Sequence, residues 1–125
     1  MIFLIDGETP AKKNSRINTR TGRSFPSKRY QEWHDVARLQ ILAQMRKQNI
    51  SSPIDYAAKV SITFVHGDLV RRDSDNATSS ILDLLKDCKV LSDDNWKIVR
   101  ELHITNGFVK GKSRCKVEIE KYESL

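Results

Sequence analysis

The chain has 125 residues, 22 Lys and Arg against 16 Asp and Glu, a formal net charge of +6 and 38% hydrophobic residues. That is length for one domain with a buried core, and the balance of apolar and charged residues excludes a disordered or low-complexity protein. Cys88 and Cys115 stand far apart in no Cys-x-x-Cys or zinc spacing, which argues for a reduced, cytoplasmic chain over a disulfide scaffold.

The elements are expected as follows. Residues 2–5 read as a short buried strand; the apolar start has no basic lead-in, ends at Asp6, and is too short for a signal core or a membrane span. From Gly7 on, residues 8–28 scatter Pro10, Asn14, Ser15, Gly22 and Pro26 among charges, a loop composition. Residues 27–47 turn helical, with Tyr30, Trp33, Ala37, Ile41 and Met45 at spacings of three or four and Ser27 as candidate cap. Residues 59–65 alternate Val60, Ile62 and Phe64 against Lys59, Ser61 and Thr63, a half-buried strand. A second helix is expected over 76–87, its apolar face made of Ala77, Ile81, Leu84, Leu85 and Cys88. Strands over 97–105 and 113–122, with a turn at Asn106-Gly107, form a final antiparallel pair. The fold class is α+β: one domain over 1–125, a mixed sheet of about four strands, and two helices packed on one face.

The charge is local. Lys12, Lys13, Arg16, Arg20, Arg23, Lys28 and Arg29 follow one another with no acid among them, and the rest of the chain is close to neutral. Cations without counter-acids repel one another until an anion arrives, which favours a nucleic-acid backbone over a merely solvated loop. Phe25 and Tyr30 could stack on a base, although a Tyr at a helix start is more often packed.

The chemistry concentrates in Arg71-Arg72-Asp73-Ser74-Asp75-Asn76, with Ser92-Asp93-Asp94 beyond the second helix. In extended backbone, side chains two apart point the same way, so Asp73 and Asp75 are expected to converge, with Asp94 returned to them by the helix. Three close carboxylates repel unless a cation sits among them, and an all-oxygen set suits Mg²⁺, with Mn²⁺ as the alternative. The plainer reading makes Asp73 and Asp75 helix caps and Asp93-Asp94 a surface turn. An EF-hand fails, because Thr78 and Leu84 occupy the places of its glycine and its final acid. His34, His66 and His103 have no zinc spacing, and no Gly-rich phosphate loop or Gly-x-Ser-x-Gly is present.

On these residues the chain resembles the RusA-type Holliday junction resolvases, small endonucleases common in phages and prophages. The resemblance rests on residues 71–76, on Leu82-Asp83-Leu84-Leu85, on Leu91-Ser92-Asp93-Asp94 and on Ile98-Val99. Gly7-x-x-Pro10 with Lys12-Lys13, and Ser27-Lys28-x-Tyr30, add to it. It implies a homodimeric, Mg²⁺-dependent nuclease that makes paired cuts in four-way DNA junctions, with Asp73, Asp75 and Asp94 as catalytic, metal-holding carboxylates. Arg71, Arg72 and the basic loop would hold DNA phosphates. One departure stands out: the family pattern has a catalytic lysine four residues after the second Asp, and this chain has Ser79. Two rivals remain, a junction-binding accessory protein that does not cut and a metal-dependent nuclease of other branched nucleic acids.

Overall fold

A computed structural model describes residues 1–11, 16–18 and 24–124, the side chains of 16–18 and 24–26 excepted. In chain order the elements are β1 (Ile2–Asp6), β2 (Arg16–Asn18), β3 (Ser24–Pro26), α1 (Lys28–Lys47), β4 (Ala58–His66), α2 (Ser74–Asp87), β5 (Val99–Phe108) and β6 (Arg114–Lys121). The period-two pattern of Ala58, Val60, Ile62 and Phe64 makes β4 the central strand, those four side chains buried and the residues between them half-buried. The main sheet runs β1-β6-β4-β5, with β6 antiparallel to both β1 and β4, and β5 parallel to β4. A parallel pair needs a long crossover, and α2 supplies it.

Both helices lay their apolar stripes on one side of this sheet. Ala37, Ile41 and Met45 of α1, and Ala77, Ile81, Leu84 and Leu85 of α2, join Phe3, Ile5, Val60, Ile62, Phe64, Val117 and Ile119 in one core. The expected α+β architecture is therefore what forms. Ser27 caps α1 by accepting from the Tyr30 amide at 3.2 Å. Tyr30 itself is buried with its ring 5.7 Å from that of Trp33, so it packs and is not presented to a base. Both thiols are free and buried, and burial pushes Cys88 up to about 11 and Cys115 up to about 12.

Three expectations change. The basic loop contains a small hairpin, in which β2 pairs antiparallel with β3 through Ile17 opposite Phe25. Asn106-Gly107 is not a turn. Both residues lie inside β5, opposite Phe64 and Val65, because a nine-residue-long β4 offers a ladder that outweighs the local preference of Asn-Gly for a tight turn. The chain turns instead at Gly111, whose φ of +72° suits glycine. Finally, β5 and β6 are not neighbours, since β4 lies between them. The crossover through α2 sets β5 on one side of β4, and β6 returns on the other.

The outer edge of β1 is closed by α1. Gln40, Gln44 and Gln48 accept from the amides of Asp6 (3.0 Å), Leu4 (2.7 Å) and Ile2 (3.4 Å). Gln44 and Gln48 also donate to the carbonyls of Leu4 (2.7 Å) and Ile2 (2.8 Å). Four helical residues rise about 6 Å and two strand residues about 6.7 Å, so an i, i+4, i+8 row of glutamines matches alternate residues of a strand.

Candidate active site

The site forms where β4 hands over to α2. Asp73 is the N-cap of α2, in extended backbone (φ −93°, ψ 124°), but its carboxylate makes no capping bond. The helix starts at Ser74, earlier than the expected 76, and Thr78 donates back to the Ser74 carbonyl at 2.7 Å. Helical backbone turns about 100° per residue, so Asp73 and Asp75 diverge where a strand would have aligned them. Asp75 lines a groove of about 470 Å³ with Ser74, Thr78, Ser79, Leu82, Asp94, Leu102 and Ile104. Asp73 lines a neighbouring pocket of about 260 Å³ with Arg29, Arg71, Arg72 and residues 9–11.

The structure thus brings Asp75 and Asp94 to one groove and sets Asp73 around the helix start. Among the described residues no group of three or more His, Cys, Asp or Glu is gathered closely enough to hold a metal ion. The groove still offers two carboxylates, Asp75 and Asp94, and three hydroxyl residues, Ser74, Thr78 and Ser79. That all-oxygen donor set fits Mg²⁺, which commonly takes one or two protein carboxylates and completes its shell with water and substrate phosphate.

Asp94 is held from behind. The amide of Ile54 donates to the Val90 carbonyl (2.8 Å) and that of Ser92 to the Ile54 carbonyl (2.9 Å), pinning the segment after α2 to the core. Asp93 then accepts from the Asp94 amide (2.7 Å) and the Asn95 side chain (3.0 Å), bonds that hold its carboxyl below the usual range. Asp93 shapes the turn and Asp94 faces the groove; Lys86 Nζ lies 3.7 Å from Asp94 Oδ1.

On the arginine side, Ser80 is fully buried on α2 and donates to the Pro10 carbonyl at 2.6 Å, fixing the exit of β1 against the helix. Arg72 is committed within the protein. Its Nε is 3.1 Å from Glu8, and Nη1 and Nη2 donate to Asp68 at 2.7 and 3.2 Å. The Arg72 bonds, then the Val70 amide, lower the Asp68 carboxyl. Of the three arginines lining the pocket on this side, Arg71 and Arg29 form no ion pair among the described residues and are left for an anion. Lys28 is exposed and pairs with Glu32 at 3.7 Å. Lys12, Lys13, Arg20 and Arg23 lie outside the described residues, and of Arg16 only the backbone is described.

Sequence reasoning singled out neither Glu8 nor Asp68; it weighed His66 only as a zinc ligand and Asn106 only as a turn residue. His66 Nδ1 lies 2.9 and 3.0 Å from the two oxygens of Glu8, and its Nε2 lies 2.8 Å from Asn106 Oδ1. Asn106 in turn donates to Ser74 Oγ at 3.0 Å. These contacts, that to Asn106 first and then Glu8, raise the imidazole above its ordinary value.

The profile of the family described as Endodeoxyribonuclease RusA matches residues 6–120. This chain belongs to the RusA family. A relative described as "Crossover junction endodeoxyribonuclease RusA", from Aquifex aeolicus (strain VF5), is 28% identical over 124 residues, covering 98% of this chain and 94% of its own length. The RusA match takes in the whole stretch from the end of β1 through Asp94 and into β6. Among the described residues no helix is long and apolar enough to cross a membrane.

Proposed function

We propose that the chain is a metal-dependent endonuclease that resolves four-way DNA junctions by paired phosphodiester hydrolysis. The observation that carries this reading is Asp75 and Asp94 on one groove beside a pocket lined by Arg29 and Arg71. Membership of an endodeoxyribonuclease family and the crossover-junction name of the Aquifex relative support the substrate.

Asp75 and Asp94 would hold Mg²⁺ or Mn²⁺, with Asp73 facing the neighbouring arginine pocket. Such an ion supplies Lewis-acid stabilisation of phosphate charge and a water of lowered pKa. The chain's own share is positioning. Arg71 and Arg29 take backbone phosphates, and the cluster Lys12, Lys13, Arg16, Arg20, Arg23 and Lys28 supplies long-range attraction for DNA. Arg72 is the clamp that holds its neighbours. With Ser79 in place of the family lysine, Lys86 is the ammonium that stands beside Asp94. One chain carries one such site, whereas a junction needs two symmetric nicks, so the working form is a two-fold homodimer.

A synthetic four-way junction incubated with Mg²⁺, and in parallel with EDTA, tests the reading. Metal-dependent paired nicks are expected. The rival, a protein that binds junctions without cutting, draws on Ser79 and on the separation of Asp73 from the other two acids; binding with no nicks in either lane would establish it. Flapped and RNA-hybrid competitors in the same assay expose a different substrate.

A further inference from the structure

Four elements converge on one imidazole: the segment after β1 brings Glu8, β4 ends in His66, β5 brings Asn106, and the loop into α2 brings Asp68 and Arg72. The ring is stacked on Phe64, with centroids 6.3 Å apart and planes inclined 18°, and its side chain is only 18% exposed. Each ring nitrogen meets an acceptor oxygen. A neutral imidazole has one N–H, so it can satisfy only one of them, whereas the imidazolium donates to both. Asn106 is set for this role because its amide nitrogen is already spent on Ser74 Oγ, which turns its oxygen to the ring. The charged groups facing the ring are Glu8, which favours the proton, Arg72, which opposes it, and Asp68, which neutralises Arg72.

We propose that protonated His66 is the positioning residue of the Arg71–Asp75 segment. Through Glu8 it orients Arg72, and through Asn106 it holds Ser74, the first residue of the helix that carries Asp75. Both branches leave the same ring and end on either side of Asp73, so one proton fixes where the arginine pocket and the acidic groove stand relative to each other. This rests on the nuclease reading only for its consequence in catalysis; the mechanical link stands on the hydrogen bonds alone.

The test uses the full chain, with wild type, His66→Phe and Glu8→Gln compared by NMR titration between about pH 5.5 and 9. The wild-type ring should titrate above the ordinary value of about 6.5, and the backbone amides of 71–75 should shift with the same midpoint. Glu8→Gln should lower that midpoint, and in His66→Phe the amides should lose it. Junction cleavage with Mg²⁺ gives the second readout. The rate of wild type relative to His66→Phe should be roughly tenfold or more at low pH and fall toward one as pH passes the midpoint. Taking the ratio cancels the pH dependence of the hydrolytic step itself. Amides of 71–75 that ignore the ring, a ring titrating at or below its ordinary value, or a pH-independent ratio would each overturn the proposal. If His66→Phe does not fold, Glu8→Gln, which leaves the imidazole in place, decides it through the two midpoints. If neither protein cleaves while the amides still follow the ring, the nuclease reading fails and the positioning role stands.

Discussion

Asp75 and Asp94 sit on the walls of one groove although nearly the whole of α2 lies between them in sequence. Asp75 belongs to the helix's first turn, and the chain leaving its last turn is tied to Ile54 and doubles back along it. A ligand that needs both carboxylates therefore needs α2 folded and docked.

Asp75→Asn keeps the shape and removes one charge. Junction cleavage should fall by roughly a hundredfold or more, while junction binding is kept or tightened because a negative charge beside phosphate is gone. Gel-shift and cleavage assays run side by side check this, and loss of binding would speak against a metal-holding role.

Arg71→Ala should weaken junction binding across sequences and make the slope of log affinity against log salt shallower by about 0.9 for each phosphate that is no longer neutralised. Arg72→Ala should behave differently. Its guanidinium holds Glu8 and Asp68, so the main loss should be order in the 67–73 loop, read as faster amide hydrogen exchange there.

Lys86→Met should leave folding nearly intact, since Lys86 is a partly exposed side chain on the last turn of α2. Cleavage should drop if its ammonium serves the groove, with binding changed little. Single-turnover rates measured against equilibrium binding separate the two.

Ser80→Ala removes a fully buried donor to the Pro10 carbonyl. A loss of about 1–3 kcal/mol in folding stability is expected from urea unfolding, with no change in the midpoint's dependence on pH.

His66 gives stability its own pH dependence. Its value is raised in the folded protein, so its contribution is complete below the unfolded value of about 6.5 and is lost as pH rises through the higher folded value. Thermal midpoints of wild type and His66→Phe should converge on the alkaline side.

The helices and the central strand were legible because burial has a period. Ala77, Ile81, Leu84, Leu85 and Cys88 recur as a helix face must, and Val60, Ile62 and Phe64 as a strand face must. Asp73 and Asp75 were harder, because their alignment turns on whether the backbone is extended or helical at Ser74, a boundary that two residues decide. Asn106-Gly107 carried a local turn signal that the β4–β5 ladder overrode. The His66 network left no trace in pattern. Its partners, Glu8 and Asn106, lie 58 and 40 residues away and meet it only once the sheet is assembled.

The row of Gln40, Gln44 and Gln48 has an effect beyond α1 and β1. With that flank of the sheet already occupied by the protein's own amides, β5 is the flank among the described main-sheet strands still open to another strand. Two molecules meeting there about a two-fold axis would use up both vacancies at once. Such an assembly would be finite as far as the main sheet goes, since a third molecule would meet only flanks already paired or covered there.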